Sequence, residues 1–121
     1  MPTVDPASVP PRADLRRRVL AREPLVGLWL NLGSLQAADI LARSGFDWVV
    51  VDLEHGMGSE QEVFGQLVAI QASSTAAIAR VAASERIRVG RLLDLGADGL
   101  VIPRLDTLEA IEETVSWMRY P

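Results

Sequence analysis

Four short apolar runs decide what this chain can fold into: Leu25–Leu32 (L-V-G-L-W-L-N-L), Asp47–Leu53 (D-W-V-V-V-D-L), Thr75–Val81 (T-A-A-I-A-R-V) and Gly99–Leu105 (G-L-V-I-P-R-L). None alternates polar with apolar residues, so each reads as a strand covered on both faces, the condition of a parallel sheet packed by helices. A segment with helical spacing follows each run. These are Leu35–Arg43, which ends at Ser44-Gly45; a helix from Ser59 to about Ala72; Ser84 to about Leu95, stopped by Gly96; and Thr107 to about Arg119. The second opens S-E-Q-E, a capping box with Ser59 at the N-cap and Glu62 at N3. The result is four consecutive β-α units with short connections, an α/β chain. Such a chain is an open sheet or half of a closed barrel, because a TIM (β/α)8 barrel needs at least about 200 residues and this chain has 121.

Residues 1–13 hold four of the seven prolines and read as a flexible lead-in, with the domain occupying 14–121. Asp14 is a plausible N-cap for a helix through about Arg22, which Pro24 terminates. A net charge of −4 carries no basic footprint for nucleic acid. The short cluster Arg16–Arg18 reads as a solvated helix face or a local electrostatic contact. Without cysteine there is no disulfide, thiolate metal site or cysteine nucleophile. No apolar run approaches the roughly 18 residues of a membrane span, and the first residues lack the apolar core of a signal peptide. A cytoplasmic protein with no membrane or nucleic-acid partner is expected.

Adjacent parallel strands bring their carboxyl ends to one rim, where α/β folds carry their catalytic groups. The first run supplies Trp29 and Asn31, the second Asp52, Glu54 and the single histidine, His55, the third Arg80, and the fourth Pro103 and Arg104. Imidazole ionises nearest neutrality among side chains and suits general-base work. An arginine there holds a carboxylate or a developing oxyanion. Each also has a structural reading: His55 as a loop hydrogen-bonder, Arg80 as half of an ion pair, Trp29 as core, Asp52 and Glu54 as caps of the loop. The loop after the first strand is N-L-G-S, not G-x-G-x-x-G, so nucleotide binding has little support.

The segments G-L-W-L-N-L-G-S, G-F-D-W-V-V-V-D-L-E-H-G, I-A-R-V, L-L-D-L-G-A-D-G-L-V-I-P and M-R-Y-P, in that order over about residues 25–121, resemble the HpcH/HpaI aldolases. The resemblance implies the N-terminal half of a (β/α)8 barrel, in an enzyme that is usually oligomeric. It implies a class II, metal-dependent lyase that cleaves or forms 4-hydroxy-2-oxo acids, giving pyruvate and an aldehyde, as in the breakdown of aromatic compounds. A divalent cofactor, Mg²⁺, Mn²⁺ or Co²⁺, would chelate the 2-oxo acid substrate. His55 would be the base, Arg80 would stabilise the developing charge and bind substrate, Asp94 would raise the basicity of the histidine, and Trp29 would line the pocket. The family's metal carboxylates come from later strands, past a Y-P-P-x-G-x-R-G segment whose start matches Tyr120-Pro121. The metal ligands are therefore expected beyond Pro121 and none within this chain; Glu54 is at most a contact to a metal-bound water. Asp94 falls about ten residues into its helix, which at about 1.5 Å per residue is roughly 15 Å toward the opposite face. Spacing alone favours Asp52 as the local partner of His55.

Two further readings stand beside the aldolase. One is a non-catalytic half-barrel that dimerises or requires a complementary half, since strands one and four would have open edges. The other is an independent α/β domain with a different small-molecule activity.

Overall fold

The computed structural model describes residues 14–119; the expected lead-in, residues 1–13, lies outside them, as do Tyr120 and Pro121. The elements are α1 (Asp14–Leu20), β1 (Gly27–Leu30), α2 (Leu35–Ala42), β2 (Trp48–Asp52), α3 (Glu60–Gln71), β3 (Ala76–Arg80), α4 (Arg86–Asp94), β4 (Gly99–Val101) and α5 (Leu108–Trp117). The strands form one parallel sheet in the order β1-β2-β3-β4. This is the expected α/β architecture of four β-α units.

Every strand is shorter than its apolar run, and for β1 and β4 the reasons are identifiable. Before β1, the Val26 N–H is taken by Asp47 Oδ2 at 2.8 Å instead of a ladder carbonyl. After β1, the Asn31 carbonyl accepts from the Met57 N–H at 2.7 Å, which turns it toward the next loop. β4 stops at Val101 because Pro103 has no N–H to donate and Arg104 takes a left-handed φ of 55°. Two helix starts also differ from expectation. α1 begins at Asp14 itself, which pairs with Arg17 within the first turn, so its cap lies outside the described residues. Its end comes at Leu20, and Arg22 is left-handed at φ 57°. α4 begins at Arg86, with Glu85 at its N-cap, and not at Ser84, whose hydroxyl lies 3.3 Å from Thr114 Oγ1 on α5. The capping box of α3 forms: Glu62 Oε2 accepts from the Ser59 N–H at 2.7 Å and from Ser59 Oγ at 2.9 Å.

The sheet register separates two faces. Leu30, Val51, Ala79 and Leu100 form one row, and Val49 and Ala77 another. These join Ala38 and Ala42 of α2, Val63, Leu67 and Ile70 of α3, and Val89 and Leu92 of α4 in the hydrophobic core. Burial of these side chains against the sheet supplies most of the driving force. The opposite face carries Trp29, Val50 and Ile78, and beyond them Asp52 and Arg80 at the carboxyl rim. Trp29 on this face is 44% exposed.

The basic cluster is structural in part. Arg18 donates to Asp47 Oδ1 at 2.6 Å and to Glu23 Oε2 at 2.9 Å, tying α1 to the turn before β2. The Val26 N–H and the Arg18 guanidinium hold the Asp47 carboxyl below its ordinary value of 3.8. A depressed carboxyl stabilises the fold above its unfolded value, and that contribution is lost as pH falls through the lowered folded value. Asp47→Ala should cost about 1–2 kcal/mol in urea unfolding at neutral pH. The gap from wild type should narrow below about pH 4, where Asp47 is protonated in the unfolded chain.

Candidate active site

The carboxyl ends of β2 and β3 place Asp52 directly beside Arg80 in the strand register. Asp52 is buried, and its Oδ1 accepts from the backbone N–H of Glu54 at 2.9 Å and of His55 at 3.1 Å. The carboxylate therefore folds the chain back over the end of β2 and fixes where the next side chains start. Asp52 thus reaches His55 through the backbone and not through the ring. The loop is tight. A Cβ on Gly56 would come within 2.1 Å of the Asp52 carbonyl oxygen, so only glycine fits without moving the backbone. Gly56→Ala should cost about 1–3 kcal/mol of stability and displace the His55 backbone, read by thermal melting and by the shift of the single imidazole signal in NMR spectra.

Glu54 is the hub of the rim. Its side chain is 8% exposed, with Oε2 2.5 Å from Arg80 Nη2 and Oε1 3.1 Å from Arg104 Nη1. Arg80 Nη1 also lies 3.6 Å from Asp52 Oδ2. The Arg80 guanidinium sits 5.3 Å from the centroid of the Trp29 ring, a cation–π contact that fixes its plane. Two carboxylates and an indole thus hold one guanidinium at the strand ends. Arg80 is ion-paired, as one of its two sequence readings expected. Arg104 reaches in from the end of β4, where its left-handed backbone directs it to Glu54 and to the Ala82 carbonyl at 3.4 Å.

His55 is 68% exposed, and its Nε2 lies 3.8 Å from Glu54 Oε1, too long for a hydrogen bond but within reach of an ion pair when the ring carries a second proton. The imidazole is accessible and is linked to the fixed Arg80 guanidinium through Glu54, whose two carboxylate oxygens face one each. Asp94 is elsewhere. It is the exposed last residue of α4, which runs back from the carboxyl to the amino edge of the sheet. One turn later the Asp98 N–H donates to Ala77 O near the amino end of β3. Within this chain Asp94 and His55 lie at opposite edges, separated by the length of the helix. Pro103 is buried and Asn31 serves the loop through its carbonyl.

No group of three His, Asp or Glu side chains that could hold a metal ion occurs among the described residues. Asp52 is committed to two backbone amides, and Glu54 to two guanidiniums. The rim therefore does not fit the first coordination shell of a divalent ion. Pro121, beyond which the resemblance puts the metal ligands, lies outside the described residues.

The model of the HpcH/HpaI aldolase/citrate lyase family matches residues 25–121, which include every strand and every rim residue just described. The chain belongs to this family. It is 36% identical over 111 residues to a hydroxypyruvate/pyruvate aldolase of Agrobacterium fabrum, covering 92% of this chain and 42% of that protein. A 4-hydroxy-2-oxo-heptane-1,7-dioate aldolase of Salmonella dublin is 36% identical over 101 residues, 84% of this chain and 38% of that one. In three dimensions the fold resembles an HpcH/HpaI aldolase/citrate lyase family protein from Burkholderia cenocepacia. The TM-score is 0.85 and the identity 40%, over 89% of this chain and 43% of the other. The chain thus spans about two fifths of the length of the relatives it matches.

Sequence reading did not anticipate the buried position of Glu54 between two arginines, or the buried amide of Gln66 beneath the loops. The first had a signal: the D-x-E spacing at a strand end puts Asp52 beside Arg80 and Glu54 one turn of loop away. The second had one as well, since Gln66 stands in register with Val63, Leu67 and Ile70 on the apolar face of α3.

Proposed function

We propose that the carboxyl rim is the base-and-arginine portion of an aldolase site that cleaves 4-hydroxy-2-oxo acids to pyruvate and an aldehyde. The observation that carries it is Glu54, which stands between an accessible imidazole and an arginine that Asp52 and Trp29 also hold. In the cleavage direction His55 takes the proton of the 4-hydroxyl. The C3–C4 bond breaks, C4 becomes the aldehyde carbonyl, and the electron pair moves to the 2-oxo group as the pyruvate enolate. Arg80 stabilises the negative charge that develops on that oxygen. Protonation of the enolate at C3 completes pyruvate, and the proton on His55 returns to solvent or product, so no oxidant or reductant is needed. Trp29 forms the apolar wall beside the guanidinium. Asp52 shapes the His55 loop, and Asp94, at the far end of α4, would act on His55 from a neighbouring subunit. On the resemblance, the ligands of a catalytic divalent ion would lie beyond Pro121 and not among these rim residues.

A second reading is favoured by the open edges of β1 and β4 and by the exposed face of Trp29. In it the half-barrel acts only when paired with a second copy or with a polypeptide supplying further strands. One assay separates the two. Pyruvate release from a 4-hydroxy-2-oxo acid is measured with Mg²⁺, Mn²⁺ or Co²⁺ present, for this chain alone and after mixing with the remaining strands of a relative. Release by the chain alone supports the self-sufficient site. Release only on mixing supports the paired one. No release in either case contradicts the aldolase proposal.

A further inference from the structure

Gln66 is 0% exposed, yet neither its Nε2 nor its Oε1 has a hydrogen-bond partner among the described residues. It projects from the same face of α3 as Val63, Leu67 and Ile70, all in the hydrophobic core. Leucine or methionine of similar volume would fill that place without burying an unmet amide, which costs about 1–3 kcal/mol. The place itself is distinctive. A Cβ on Gly58 would sit 3.4 Å from Gln66 Nε2 and 3.0 Å from Gly33 Cα. Gln66 therefore lies directly beneath the point where the β1–α2 loop crosses the β2–α3 loop. Gly33, left-handed at φ 63°, and Gly58 make that crossing possible, because a side chain on either would strike the other loop. The Met57 N–H donates to the Asn31 carbonyl across the same junction.

We infer that Gln66 is a positioning residue: its amide is a polar floor for this crossing and holds the far end of the loop that carries His55. The near end is fixed by Asp52 through the Glu54 and His55 amides. The far end has one interloop backbone bond at Met57, and the Gln66 donors and acceptor lie under it. With no direct partner among the described residues, the amide would reach the loop backbone groups above it through one bridging water, at nearly the enthalpy of a direct hydrogen bond. A loop fastened at both ends presents its imidazole in one geometry, which general-base work requires. The consequence for catalysis rests on the proposal that His55 is the base; the consequence for loop order does not, and it is tested without an activity assay.

The experiment compares the full chain with Gln66→Met and, as a control for ordinary core damage, Ile70→Val. Three quantities are measured: thermal melting, amide hydrogen exchange at Met57 and Gly58, and the ring signal of the only histidine. Gln66→Met conserves volume, and relief of the buried amide offsets the lost loop contact, so its melting temperature should stay near wild type. Exchange at Met57 should nevertheless accelerate about tenfold, and the His55 ring signal should shift or broaden. Ile70→Val should lower the melting temperature with no selective change at Met57. Gln66→Leu serves the same comparison if the methionine variant does not fold. Unchanged Met57 exchange in a stable Gln66 variant overturns the inference. So does a Gln66 variant that loses stability and loop protection in the same proportion as Ile70→Val.

Discussion

Arg80→Met should unfold more readily than wild type by about 3 kcal/mol and lose at least about a hundredfold in pyruvate release. Both losses have one cause. Asp52 and Glu54 are nearly withdrawn from water, and Arg80 contacts both. Methionine preserves the apolar stem against Trp29 but leaves two neighbouring carboxylates without their shared cation. An unpaired buried charge is costlier than the pair it came from, because the desolvation penalty stays while the attraction is gone. Arg104 offsets part of this through Glu54 Oε1, but it is largely exposed and screened by solvent. Arg80→Lys retains the charge and loses the planar fork, so it should recover much of the stability and little of the activity. Urea unfolding and pyruvate release, measured on both variants, check this.

His55→Ala should behave in the opposite way. The imidazole is 68% exposed and accepts no structural hydrogen bond among those that shape the loop; the Asp52 carboxylate is bound by the His55 backbone N–H, which alanine retains. Melting should therefore change little, within the range of ordinary surface substitutions of about 0.5 kcal/mol. Pyruvate release should fall about a hundredfold to ten-thousandfold, the usual worth of a positioned general base. The contrast between a destabilised inactive Arg80 variant and a stable inactive His55 variant would separate the group that holds the rim together from the group proposed to move the proton.

The fold was legible because continuous apolar runs such as Trp48–Val51 have few places to go except a sheet covered by helices. Strand lengths were less legible. The ends of the runs were decided by tertiary bonds, Val26 to Asp47 and Met57 to Asn31, which no local pattern announces. At the site, the contact of Arg80 with Trp29 and Asp52 followed from parallel strands with shared carboxyl ends. The partner of His55 did not follow. Sequence spacing pointed to Asp52, but that side chain is spent on backbone amides, and the carboxylate nearest the ring belongs to Glu54. A side chain's rotamer depends on what else is buried beside it, and here the arginines from β3 and β4 draw Glu54 inward. Asp94 was placed by resemblance, and the rise of α4 carries it to the other edge of this chain.

The most direct test of the central claim is cleavage of a 4-hydroxy-2-oxo acid by wild type and His55→Ala side by side. Pyruvate and aldehyde are both quantified, with a divalent ion and the complementary strands of a relative present. Wild type should release equal amounts of pyruvate and aldehyde and His55→Ala should stay near background, with both proteins melting alike. Wild-type rates from the His55→Ala protein would contradict that claim.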